Sequence, residues 1–90
     1  MQIEFDTDKR DKTLTERGLD FSRAPEVFAG PLLNRADERF DYGEQRFITF
    51  GLLDARWVIL IWTLRGTVRR IISMRLANDR EITKYAHRVG

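Results

Sequence analysis

The chain has 90 residues, 42% hydrophobic and 33% charged, which allows one domain (residues 1–90) with one modest core and argues against disorder. It has no cysteine and one histidine, His87, which excludes disulfides, thiolate chemistry and cysteine zinc sites and disfavours a histidine metal centre, so no metal or other cofactor is expected. The net charge of +2 is uneven: residues 1–45 hold seven Lys/Arg against eleven Asp/Glu (−4), and residues 46–90 nine against three (+6), which predicts a basic face suited to a polyanion.

The start, Met1-Gln2-Ile3-Glu4-Phe5-Asp6, lacks a basic n-region and a long apolar stretch, which predicts no signal peptide. The longest apolar run, Trp57–Trp62, is six residues, too short to span a bilayer. A cytoplasmic protein without membrane contact is expected. Ile3–Phe5 can form a short first strand. Asp6 is placed to cap a helix over about residues 7–17, and Gly18 sits where a helix-ending glycine belongs. That helix is polar all round except for Leu14. It is either a solvated lid or a carrier for Lys9 and Lys12, which share one face and could reach a ligand. Ser22 is the expected cap of a second helix over Arg23–Ala29, with Pro25 in its first turn and Gly30-Pro31 ending it.

Leu32-Leu33 opens a strand whose polar continuation, Asn34 to Arg39, predicts a sheet edge. Phe40-Asp41-Tyr42-Gly43 is a turn. Gln45–Leu52 alternates, with Ile48, Phe50 and Leu52 on one face and Phe47, Thr49 and Gly51 on the other. Leu53-Asp54-Ala55-Arg56 is a tight turn. Trp57–Leu64 is apolar on both faces and reads as the central strand, with its two tryptophans on opposite faces. Arg65-Gly66-Thr67 turns into Val68–Leu76. Asn78 or Asp79 caps a final helix over about residues 79–88, followed by Gly90. Short turns imply an antiparallel meander. The fold class is therefore α+β: an antiparallel sheet of three to four strands, N-terminal helices packed on one face, and a C-terminal helix. The other face is free and is the candidate site.

Val68–Leu76 carries three arginines. Strict alternation puts Arg69, Ser73 and Arg75 on the wetter face and leaves Arg70 among apolar neighbours. Arg70 has three open placements: outward at a sheet edge, paired with a carboxylate such as Glu44, or rotated by a β-bulge. The plain reading of these arginines is surface ion pairs worth little each. The alternative is a phosphate clamp, which bidentate guanidinium geometry suits, extended by Arg46 and Arg65. Tyr85 on the last helix is either a packing residue or a group that orients a phosphate, stacks on a base or helps move a proton.

In their order and spacing, several pieces resemble the BrnT toxin family. They are Phe5-Asp6-x-x-Lys9, Leu14-x-x-x-Gly18-x-x-Phe21, Glu44-x-Arg46-Phe47-x-x-x-Gly51, Thr63-x-Arg65-Gly66, Arg70-Ile71-Ile72-Ser73-x-Arg75-x-Ala77, Glu81 and Tyr85. The resemblance spans nearly the whole chain. It implies a RelE/ParE-like fold and a growth-inhibiting ribonuclease toxin that stops translation; with no metal-ligand cluster in the sequence, RNA cleavage is expected to be metal-independent. It also implies a BrnA-like ribbon-helix-helix antitoxin, through which alone operator DNA would be contacted. The chain departs from the family at Thr13, at Glu16-Arg17 and at Leu64, where the family often has a glutamate that could act as a base.

On this reading Arg75 and Arg70 neutralise the phosphorane. Lys9 is a candidate acid or second charge contact, and Tyr85 an orienting or acid–base group. Arg46, Arg65, Arg69, Lys12 and Arg80 hold backbone phosphates. The rival readings are a non-catalytic toxin that occupies a protein partner such as gyrase, and a plain interaction module.

Overall fold

A computed structural model describes residues 1–89; Gly90 lies outside the described residues. The chain order is β1 (Ile3–Phe5), α1 (Thr7–Arg17), a 3-10 turn (Phe21–Arg23), α2 (Ala24–Ala29), β2 (Leu32–Asp37), β3 (Arg46–Leu53), β4 (Arg56–Arg65), β5 (Val68–Leu76), α3 (Asp79–Tyr85) and a 3-10 turn (Ala86–Arg88). The fold is α+β, but the expected sheet of three to four antiparallel strands is corrected to five strands in a mixed sheet, in the order β1-β5-β4-β3-β2. β2 to β5 form the antiparallel meander. The difference lies in β1, whose three residues pair parallel to β5 and cover an edge that would otherwise expose its backbone. The Arg69 N–H donates to the Gln2 carbonyl at 3.0 Å on that edge.

Local chemistry sets the helix ends. The Asp6 carboxylate accepts from the Lys9 N–H at 3.1 Å, and Gly18, at φ 70°, donates to the Leu14 carbonyl at 2.9 Å. α1 buries no side chain. Its ties to the sheet are the Arg17 guanidinium, which donates to the Met74 carbonyl at 3.3 Å, and Arg10, which lies over the Phe5 ring at 5.6 Å. Asp20, not Ser22, caps the next turn by accepting from the Ser22 N–H at 2.9 Å. Aspartate before the turn outcompetes the hydroxyl within it, because its oxygen faces the free N–H groups.

The core lies between the N-terminal helices and one sheet face: Leu19, Phe21, Ala24 and Val27 meet Leu53, Val58, Leu60, Trp62, Ile71 and Met74. Trp62 faces these helices and Trp57 faces the other way, where it stacks on Phe50 with centroids 4.5 Å apart. Gly51 allows the close approach of α2, since a Cβ there would fall 2.7 Å from a Val27 methyl. A buried hydrogen-bond chain crosses this layer: the Trp62 indole donates to the Thr49 hydroxyl at 2.8 Å, and that hydroxyl donates to Asn34. Among the described residues no helix is long and apolar enough to cross a membrane.

The β3–β4 turn places Asp54 at φ 53° and Ala55 at φ 62°. Both central residues are left-handed, as a two-residue turn of the primed kind requires, and alanine is poorly suited to that region. Asp54 is held there by Arg23, whose guanidinium donates to its carboxylate at 2.6 and 2.7 Å and to Glu26 at 2.8 and 2.9 Å. Ala55→Gly is expected to stabilise the fold by about 0.5–1 kcal/mol, after the extra chain entropy of glycine offsets part of the relieved strain. A rise in the urea unfolding midpoint at unchanged slope would report it; a fall would mean that the turn is not left-handed at Ala55.

Candidate functional site

The meander's register places every side chain of β5. Leu60 lies opposite Met74 and Trp62 opposite Ile71, with a register shift between Ile61 and Trp62. Ile72 is therefore an extra residue on β5, a β-bulge that reverses the alternation across it. This decides among the three placements of Arg70. It lies opposite Thr63, on the same face as Ser73 and Arg75. Its carboxylate neighbour is Glu4 of β1, at 3.6 Å, not Glu44. The same bulge corrects the expected stripe of Arg69, Ser73 and Arg75. Arg69 turns to the helix-bearing face, with its guanidinium carbon 3.9 Å above the Phe28 ring.

The face opposite the N-terminal helices is only partly free. α3 crosses part of it, and Tyr85 comes within 5.8 Å of Phe50, centroid to centroid. Between α3, β2 and the sheet is a cavity of about 580 Å³. Ile48, Phe50, Ile59 and Ile61 form its apolar floor, and Arg35, Asp37, Arg39, Ser73, Arg75, Glu81 and Tyr85 are among its polar walls. Such a hollow, apolar beneath with a few convergent charged groups, is what an oriented ligand requires.

Arg75 is fixed there by Glu81. Its Nη1 and Nη2 donate to the two carboxylate oxygens at 2.7 and 2.8 Å, and Nη1 donates again to the Leu76 carbonyl at 3.3 Å. A guanidinium has five N–H donors. The Nε–H and one N–H of Nη2 have no partner among the described residues, and these two are adjacent. Arg75 thus keeps one bidentate edge open while Glu81 holds its position. Glu81 also closes the α3 capping box: it accepts from the Asn78 N–H at 3.0 Å while Asn78 accepts from the Glu81 N–H at 2.8 Å. The Arg75 guanidinium, aided by the Asn78 N–H, holds the Glu81 carboxyl down at about 2, and Glu81 in turn raises Arg75.

Asp37, 4% exposed, anchors the other wall. It accepts from the Arg39 guanidinium at 2.8 and 2.9 Å and from the Tyr42 hydroxyl at 3.1 Å. The Arg39 hydrogen bonds, against the opposing effect of burial, hold its carboxyl at about 2. Arg35 has no carboxylate within ion-pairing distance among the described residues, and its guanidinium lies 5.4 Å from the centre of the Tyr85 ring. It is the least committed cation of the cavity.

Of the four residues expected to act directly, Arg75 and Tyr85 line this cavity and Arg70 and Lys9 do not. Arg70 and Arg46 flank it on the same face, opposite Thr63 from either side. Arg46 pairs with Glu44 at 3.2 Å and stacks over Tyr42 at 4.1 Å, and Arg65 reaches Glu44 at 3.4 Å. Lys9 and Lys12 are exposed on α1 and Arg80 on α3, all outside the cavity lining. The sequence reading missed Arg35 and Arg39. The available signal was the alternation of β2, which puts Leu33, Arg35 and Asp37 on one face, in register with Phe50, Ile48 and Arg46.

A family model described as "Ribonuclease toxin, BrnT, of type II toxin-antitoxin system" matches residues 5–81. A search of curated proteins returns no match.

Proposed function

The chain belongs to the BrnT family of ribonuclease toxins of type II toxin–antitoxin systems, and from that premise we propose that it cleaves RNA without a metal ion in the cavity walled by Arg75, Arg35, Arg39 and Tyr85. The observation that carries this reading is the open bidentate edge of Arg75, held in place by Glu81.

RNA supplies its own nucleophile. The 2′-oxygen attacks the adjacent phosphorus, the bond from phosphorus to the 5′-oxygen breaks, and the proton lost by the 2′-hydroxyl is balanced by one gained at the 5′-oxygen. The products are a 2′,3′-cyclic phosphate and a 5′-hydroxyl. The protein has to stabilise the dianionic phosphorane and manage the two protons. Arg75 grips the non-bridging oxygens side-on, and Arg35, unpaired, adds the second positive charge. Arg39 is largely spent on Asp37 and serves to place it. Tyr85, which lines the cavity, would orient the phosphate or pass a proton. Glu81 stays ionised at neutral pH, but a carboxyl held near 2 is a weak base, so its part is to position Arg75. Arg70, Arg46 and Arg65 hold flanking phosphates on the same face, with a salt-dependent contribution.

Among the described residues no three His, Cys, Asp or Glu side chains gather to hold an ion. Neutralisation would come from a BrnA-like ribbon-helix-helix antitoxin, with operator DNA contacted only by that partner, and the outcome of free toxin would be arrested translation and growth. Purified protein mixed with end-labelled single-stranded RNA in excess EDTA is expected to yield fragments ending in a cyclic phosphate. Cleavage that disappears in EDTA and returns with magnesium would overturn the metal-free mechanism. No cleavage in either condition, with growth arrest intact, would favour a toxin that acts by occupying a protein such as gyrase.

A further inference from the structure

The bulge at Ile72 has a second effect, on the face away from the cavity. It turns Arg69 among Phe28 and Trp62, with its guanidinium carbon 3.9 and 5.0 Å from the two ring centres. Its Nε is buried and has no hydrogen-bond partner, and no other buried side-chain nitrogen or oxygen among the described residues is left so. Arg10, Arg23, Arg39, Arg46, Arg65, Arg70 and Arg75 each have a carboxylate within reach. Arg69 has none among the described residues, and burial alone lowers its pKa. A partly desolvated cation without a counter-ion is a standing cost, which a bound anion would remove. The surface around it is unfinished in another respect. Leu64 lies directly across from Arg69 in the β4–β5 pairing and is 45% exposed, and Phe28 and Phe47 are only half-buried.

We infer that this patch, centred on Arg69 and including Leu64, Phe28 and Phe47, is the docking surface for an apolar segment of the protein antitoxin that carries a carboxylate to Arg69. The inference rests on the family reading only in taking the partner to be a protein antitoxin. Charge complementarity selects the occupant. One unpaired guanidinium set in aromatic surface matches one carboxylate flanked by apolar side chains, and arginine with aromatic neighbours is typical of interface hot spots. A run of phosphates would meet apolar surface on either side of that single cation. Its natural path is the opposite face, where Arg70, Arg46, Arg35 and Arg75 lie.

The test measures binding of the cognate antitoxin to the purified toxin by calorimetry, with RNA cleavage by free toxin as the second readout. Arg69→Glu and Leu64→Asn are each expected to weaken antitoxin binding at least about thirtyfold, a hot-spot effect, and to leave cleavage within about twofold. A Glu→Lys or Asp→Lys change in the antitoxin should restore affinity for Arg69→Glu. Leu64 is exposed, so its variant carries the test if the buried carboxylate of Arg69→Glu prevents folding; Arg69→Gln is the milder second variant. Antitoxin affinity within about threefold of wild type in these variants would overturn the inference. So would lost cleavage with intact antitoxin binding, which would make the patch an RNA contact. Wild-type protein that fails to bind the antitoxin overturns the neutralisation reading itself, whereas tight wild-type binding untouched by the variants overturns only the surface proposed here.

Discussion

Arg75→Ala is expected to slow single-turnover RNA cleavage by about 10²–10³-fold, the usual consequence of removing one preorganised donor from a developing oxyanion. The cause is geometric. Glu81 accepts from Nη1 and Nη2 at 2.7 and 2.8 Å, so the guanidinium reaches the transition state already oriented, with two adjacent N–H groups free. Arg75→Lys should recover little, since an ammonium cannot present that paired edge or keep the two-point hold on Glu81. The variant also leaves Glu81 without its cation, so part of any loss could reflect a loosened α3. Glu81→Gln separates the two effects. It keeps an acceptor for the capping box and the arginine itself, but weakens the charge-assisted hold. A positioning role predicts a drop of about tenfold in Glu81→Gln, smaller than in Arg75→Ala, with the two losses less than additive in the double variant. Cleavage by Arg75→Ala within about threefold of wild type would remove this residue from the mechanism.

The sequence makes legible what depends on local chemistry. The α1 cap at Asp6, the left-handed Gly18, the opposite-facing Trp57 and Trp62 and the alternation of Ile48 and Phe50 all follow from a residue and its near neighbours. β1 pairing with β5 does not, because three extended residues carry too little pattern to name a partner across more than sixty positions of chain. The bulge is the costlier omission. Its trace is the apolar pair Ile71-Ile72, which interrupts alternation without revealing which residue is extra, yet the answer exchanges the faces of Arg69 and Arg70. Arg35 was legible in principle. Its strand reads as an edge from its polarity, and the two-residue period of Leu33, Arg35 and Asp37 points it into the cavity. Glu81 shows the opposite limit: sequence places it at the third position of a helix, but only the fold brings Arg75 to it.

Acid should destabilise the fold chiefly through the two carboxylates that wall the cavity. Asp37 and Glu81 both ionise in the folded protein at about 2, below their ordinary values of 3.8 and 4.5, because Arg39 and Arg75 respectively bind the charged forms. A depressed folded-state pKa stabilises the fold fully above the unfolded value, and that stability is lost as pH falls through the folded value. The window therefore runs from about 4.5 down to about 2. Shifts of this size correspond to roughly 2–3 kcal/mol each, and solvent screening at the half-exposed arginines reduces this to about 1–2 kcal/mol each. Urea unfolding followed from neutral pH to about 2.5 should thus show a loss of about 1–3 kcal/mol, concentrated below pH 4.5. Asp37→Asn and Glu81→Gln should each lower stability at neutral pH and flatten the profile, and the double variant should keep only the residual acid sensitivity of the other paired carboxylates, such as Asp54 and Glu26 beside Arg23. A wild-type profile that is flat between about pH 5 and 2.5 would mean that these ion pairs are not formed in solution. The same titration bears on the site, because protonating Glu81 releases Arg75 and opens the capping box that holds α3 across the cavity. Because folded Glu81 protonates only near pH 2, the RNA affinity of the folded protein should hold down to about pH 3, where the fold has already lost part of its stability.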